Sequence, residues 1–205
     1  MTSEDLAAVM VALQEMECHN INFVSPSHVV AEILEALEIA VAHGLRLPLV
    51  YNTGGYDSPE ALKLLDGVID IYMPDMKYGD SANARKLSRI PNYVEVNQAA
   101  VREMHRQVGD LVLDADGLAQ RGLLIRHLVL PNGLSTSHKV FSFLAKDVSP
   151  DTYINIMAQY RPAFNADQMA AINRRPTSDE MDKAYQAAKQ VGLHRFDKQR
   201  RLFEV

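Results

Sequence analysis

The sequence predicts an α/β fold, a parallel-stranded partial barrel of the (β/α)6 type missing its first strand. Three observations carry this. Five short apolar runs recur along the 205 residues with helical segments between them, and such alternation builds a parallel sheet through right-handed crossovers. Each run ends in a polar or glycine-bearing signature: SPSH after 20–24, NTGGY after 47–51, PDMKY after 69–73, PNG after 123–130 and AQYRP after 152–157. Parallel strands point the same way, so these signatures gather on one rim, where such folds build sites. The chain also opens in a helix, which in an alternating fold calls for a strand before it, as though a longer protein had been cut.

Taken in order, the opening TSEDLAAVMVALQEME has Thr2 or Ser3 to cap a helix, acids in its first turn, and Leu6, Val9, Leu13 and Met16 at helical spacing. INFV (21–24) reads as a buried strand. Residues 29–44 form a helix with apolar Ile33, Leu34, Leu37, Ile39 and Val41 and a stop at Gly44. LPLVY (47–51) is the next strand, Ser58-Pro59 opens a short helix by cap and first-turn proline, and VIDIYM (68–73) is the third strand. Residues 80–110 carry a short helix, a break at Pro91, and a longer helix through Val94, Val101 and Met104 that ends near Gly109. LVLDADGLAQRG (111–122) is a hairpin turning at Asp116-Gly117, inserted between core units. LLIRHLVL (123–130) is the fourth core strand, Ser135 or Thr136 caps a helix through Leu144, and TYINIM (152–157) is the fifth. Thr177 to Glu180 is a capping-box pattern that opens a last helix, to about Gly192, and a tail runs to 205. All of this reads as one domain over 1–205.

Composition narrows the function classes. Hydrophobic residues make up 47% and charged residues 23%, as in an ordinary globular domain, and the net charge is −5. Lys and Arg are scattered, so neither a nucleic acid nor a membrane surface is expected as partner. The one basic cluster, Lys198, Arg200 and Arg201, reads as a solvated end. One cysteine, Cys18, excludes a disulfide framework, and no stretch approaches the ~20 apolar residues of a membrane span. A cytoplasmic protein is expected.

The rim signatures supply the candidate residues. Asp75 and Lys77 lie two apart at a strand end, so they project to one side and can meet amino, carboxylate or hydroxyl groups. Gly54 and Gly55 let the chain turn sharply and let a ligand approach closely. Arg126 and His127 interrupt an apolar strand and face opposite ways; Arg126 is taken as the inward one, and a buried guanidinium needs an anion from protein or ligand. His28 sits at the rim as well. There is no Cys-x-x-Cys, no helical His pair beside a glutamate, no Walker loop and no G-x-G-x-x-G after a strand. The chain therefore carries no self-contained catalytic nucleophile or metal site.

Strand by strand, the rim resembles radical S-adenosylmethionine proteins of the pyruvate formate-lyase-activating-enzyme-like group. Thr53-Gly54-Gly55-Tyr56 resembles the family's Thr-Asn-Gly-Phe, and Asp75-Met76-Lys77 its Asp-Leu-Lys. Ile125 to Asn132 is similar to Ile-Arg-Tyr-Val-Val-Val-Pro-Gly, and Met157-Ala158-Gln159-Tyr160 stands where the family has Leu-Pro-Tyr-His. The match runs in order from about 18 to 192. Pro26-Ser27-His28 replaces the family's Gly-Gly-Glu, and the Cys-x3-Cys-x2-Cys loop that holds a [4Fe–4S] cluster is absent, in line with a missing first strand. For the complete protein the resemblance implies an iron–sulfur oxidoreductase. S-adenosylmethionine on a [4Fe–4S] cluster yields a 5′-deoxyadenosyl radical, which takes hydrogen from a glycyl-radical enzyme or another protein or small molecule. It also implies a cofactor-binding set of Ser25, Ser27, His28, Asn52, Thr53, Gly54, Asp75, Lys77, Arg126 and Tyr160, in a chain inactive by itself. Two other readings stand beside this one. An ordinary barrel lyase or aldolase would use Lys77 as Schiff-base amine, and a non-catalytic binding protein would have kept the fold alone. An open barrel edge also offers a route to a homodimer.

Overall fold

In the computed structural model, which describes residues 1–197, Thr2 closes the first helix, α1 (Ser3–Glu15), by a reciprocal capping box with Asp5. The helix buries Ala7 and Met10, with Leu6, Val11 and Leu13 packed alongside, whereas Val9 and Met16 are exposed. The expected stripe is thus rotated, because small Ala7 lets α1 lie close against its neighbour α2 (Val30–Ala42). That second helix buries Ile33, Ala36, Leu37 and Ala40, leaves Val41 exposed, and ends before Gly44 at φ +91°.

The strands are β1 (Ile21–Val24), β2 (Leu49–Thr53), β3 (Ile71–Pro74), β4 (Val112–Leu113), β5 (Ala119–Leu128), β6 (Tyr153–Met157) and β7 (Arg195–Phe196). Six of them pair in parallel in the order β1-β2-β3-β5-β6-β7, with β4 antiparallel on β5. This is the α/β, parallel-stranded partial barrel that the alternation predicted, with β7 as a short strand the sequence reading did not include. The remaining helices are α3 (Pro59–Leu64), α4 (Ser81–Ser88), α5 (Tyr93–Val108), α6 (Ser137–Phe143) and α7 (Ser178–Gln190). Ser58, Asp80 and Thr177 cap α3, α4 and α7 through their side chains. At α6 the cap position is Thr136, but at φ +54° its hydroxyl does not cap; α6 then runs into a π-type turn through Val148.

Several boundaries move. Strands β2 and β3 start two and three residues later than expected, so Asn52 and Thr53 lie within β2 and only glycine and tyrosine are left for the turn. Strand β1 is half-buried: Ile21 and Phe23 are covered, while Asn22 and Val24 are exposed on an edge strand. The hairpin turns at Asp114–Gly117, where the Asp114 carboxylate accepts from the amides of Asp116 and Leu118. Its second strand is no separate insertion, since it continues as β5 through Gly122. There φ is +116° and the Asp110 backbone passes too close for any Cβ. Lys198, Arg200 and Arg201 lie outside the described residues. Among the described residues no helix is long and apolar enough to cross a membrane.

The two faces of the sheet differ. Tyr51, Tyr72, Leu123, Ile125, Ile154 and Ile156 point toward the helices and join the main core. The opposite, concave face holds a small cluster of Val50, Ile71 and Leu111 with Met73, Leu124 and Tyr153. Toward the strand ends the concave face turns polar.

Candidate functional site

Alternation along the strands decides which rim residues meet. Parallel register places Asn52 of β2 beside Met73 of β3, and Arg126 of β5 forms a bridge with Asp75, just past β3. Arg126 therefore projects from the concave face, as taken from the sequence, and His127 from the helix face. Arg126 Nη1 donates to Asn52 Oδ1 at 2.9 Å. Its Nε lies 3.1 Å from Asp75 Oδ1, and Lys77 Nζ lies 3.0 Å from Asp75 Oδ2. The Arg126–Asp75 contact is a meeting of charges without hydrogen-bond alignment: both atoms are shielded from water and lack a properly directed partner among the described residues. Two cations and one carboxylate leave this cluster with one positive charge in excess. Its side chains are partly covered, Asp75 at 12% exposure, Arg126 at 24% and Lys77 at 38%.

The helix α5 holds the loops that carry these groups. Asn97, wholly buried, donates from Nδ2 to Gly55 O at 2.8 Å and to Asp75 O at 3.0 Å. Both partners are acceptors, so the amide can sit only this way round, and Asn97 Oδ1 is left without a partner among the described residues. Tyr93 accepts from the Lys77 amide at 3.0 Å and donates to Asp75 O at 3.3 Å. Burial pushes the Tyr93 phenol well above its ordinary value, which keeps the donating proton in place. Gly55, at φ +75°, packs so closely on Asp75 O and Asn97 that a Cβ has no room.

Thr53 points to the other side of the sheet. Its hydroxyl donates to buried Asp57 at 2.8 Å and receives the Gly55 amide at 3.2 Å. Ser27 at 2.6 Å and Tyr51 at 3.1 Å also donate to Asp57, so one carboxylate ties the turn after β1 to the turn after β2. Ser25 donates its amide to Asn52 O from a left-handed conformation. His28 is exposed at the rim, and Gly54 faces open space. Tyr160 is spent elsewhere: its hydroxyl donates to Ile172 O and its ring packs with Tyr78, Tyr93 and Leu130. The structure thus brings Asn52, Asp75, Lys77 and Arg126 together and gives Ser25, Ser27 and Thr53 the task of shaping the rim. It also adds Asn22 and Asn155 to the concave face, opposite Val50 and Arg126 in register. A lone asparagine within INFV and within TYINIM was the available signal for both.

His127 marks the opposite face. Nδ1 donates to Met76 O at 2.6 Å, Nε2 takes the Ser137 hydroxyl at 2.9 Å, and the ring packs edge-on to Phe141. Complete burial lowers its pKa to about 4, against the Met76 hydrogen bond, which favours the protonated ring.

No family model matches the sequence. A crystal structure of a domain of pyruvate-formate lyase-activating enzyme from Bacteroides vulgatus superposes with a TM-score of 0.58 at 17% identity, over 88% of this chain and 98% of that one. The fold is similar to that domain's. An uncharacterized protein of Methanocaldococcus jannaschii is 32% identical over 177 residues, 85% of this chain and 47% of that protein, so the chain spans about half the length of the curated relative it matches. Among the described residues no group of His, Cys, Asp and Glu could hold a metal ion.

Proposed function

We propose that this chain supplies the S-adenosylmethionine-binding barrel of a radical S-adenosylmethionine protein of the activating-enzyme type. The observation that carries the reading is the concave cluster at the ends of β2, β3 and β5, on a fold like that of the activating-enzyme domain. Its excess positive charge suits a ligand carboxylate, which Arg126 and Lys77 would receive. Asp75 is the acceptor for an amino or ribose hydroxyl group. Asn52 holds the guanidinium in position, and Gly54 leaves the approach unobstructed.

A [4Fe–4S] cluster does not fit this chain by itself. One cysteine gives at most one thiolate where such a cluster takes several. Thiolates for a cluster come from outside these 205 residues, and the hydrogen donor, a glycyl-radical protein or another molecule, belongs to that larger assembly. Isothermal calorimetry with S-adenosylmethionine tests the reading. Binding should be measurable and should weaken about tenfold or more in Arg126→Met, which removes the anion partner while keeping the stem. No heat at millimolar ligand, or an unchanged affinity in the variant, would count against it.

A further inference from the structure

Beside the rim, a cleft of about 410 Å³ opens between the end of α4 and the segment after β6. Its floor is Tyr78, Leu130 and Tyr160, and both tyrosine hydroxyls are already used, by Ser88 and by Ile172 O, so the floor offers ring faces. Lys86, Arg89 and Arg161 stand exposed around the mouth, and no Asp or Glu among the described residues lines it. None of the three cations forms an ion pair with a described carboxylate. In a chain of net charge −5 this is a local reversal of sign.

Phe164, on the far wall, is fully exposed at 101% and held at φ +52°, in the left-handed region that a bulky residue avoids. Met169 beside it is exposed too. Tyrosine, phenylalanine, methionine and arginine around one depression is the composition of protein–protein hot spots. A small anion is served best by buried donors converging on a point. Here the cations encircle an open, aromatic-floored mouth, which suits side chains on an extended segment.

We propose that this cleft docks an acidic polypeptide segment of a partner protein. An apolar side chain of that segment packs against Tyr78, Tyr160 and Phe164, and its carboxylates pair with Lys86, Arg89 and Arg161. Neither Asn52, Asp75, Lys77 nor Arg126 lines the cleft, so the inference stands or falls apart from cofactor binding.

Short random peptides displayed on phage, selected on the full chain and counter-screened on an Arg89→Glu/Arg161→Glu variant, test it. The expected result is enrichment of peptides that combine Asp or Glu with an aromatic or aliphatic residue. A synthetic copy of an enriched peptide should bind the charge-reversed chain about tenfold or more weakly, weaken as salt is raised, and lose affinity at Phe164→Ala. All these positions are exposed, and equal melting temperatures of the variants would confirm their folding. Absence of enrichment, enrichment of basic or neutral peptides, equal binding to the variant, or full displacement of the peptide by millimolar pyrophosphate would each overturn the proposal, the last by assigning the cleft to a small anion.

Discussion

His127 and Gly55 show how single residues fix this rim. The imidazole ties Met76 O, just past β3, to Ser137 at the start of α6, and burial keeps the ring neutral there. Its folded pKa of about 4 lies below the ordinary value of 6.5, so the unfolded chain takes up the proton first as pH falls. Stability should therefore decline between pH 6.5 and pH 4 by up to about 3 kcal/mol on this account, a loss that urea unfolding across that range would measure. His127→Phe should be less stable at neutral pH but should lose most of that slope; an unchanged slope would show that other groups cause it. At Gly55 a methyl group meets both a left-handed backbone and the Asp75 carbonyl, so Gly55→Ala should cost about 3 kcal/mol in urea unfolding. Gly54→Ala, in open space, should cost under about 1 kcal/mol. The sequence marked both glycines alike as turn formers. Backbone conformation and packing distinguish them, and no local pattern records which glycine takes a positive φ or which atom of another segment will pass beside its Cα.

At the scale of elements, α5 is the clamp, and it was read from the sequence only as an amphipathic helix. Its Val101 and Met104 face the core as the spacing predicted, but Tyr93 and Asn97, one turn apart, reach across to two rim loops. The pattern showed a buried stripe without showing what a polar residue within it would meet. Asn97→Ala leaves the Gly55 carbonyl unpaired in the interior and the Asp75 carbonyl with Tyr93 alone, and should cost about 2–4 kcal/mol. Asn97→Asp should cost more, because it sets a carboxylate against two carbonyl oxygens. The reverse order in thermal or urea unfolding would mean that the loops relax away from α5. The strand ends were legible from the signatures SPSH, NTGGY and PDMKY, since polar residues closing apolar runs mark a rim. Which of them share a face depended on boundaries: β2 reaches Thr53, so Asn52 turns inward and Thr53 outward. A site list drawn from sequence alone contained both.

Across the whole molecule the decisive property is the unequal filling of the two sheet faces. One face carries nearly the entire core against the helices, and the concave face has only a thin apolar layer below the Asn52–Arg126–Asp75–Lys77 cluster. A sheet filled equally on both sides would be a structural slab, whereas this one leaves room on the side where its strand-end charges converge. The asymmetry has a measurable signature. Ile125, fully buried toward the helices, should cost about 2–5 kcal/mol when truncated to alanine, because the tight packing around it leaves a cavity. Met73, half-buried on the concave face, should cost under about 1.5 kcal/mol as Met73→Ala, since water already reaches the space it vacates. If S-adenosylmethionine occupies the concave face, Met73→Ala should also shift its affinity in calorimetry while Ile125→Val, a gentler change on the far side, leaves it unaltered. Equal stability losses at the two positions would instead mean that the concave face is packed as firmly as the helix face, and the room required for a ligand there would not exist.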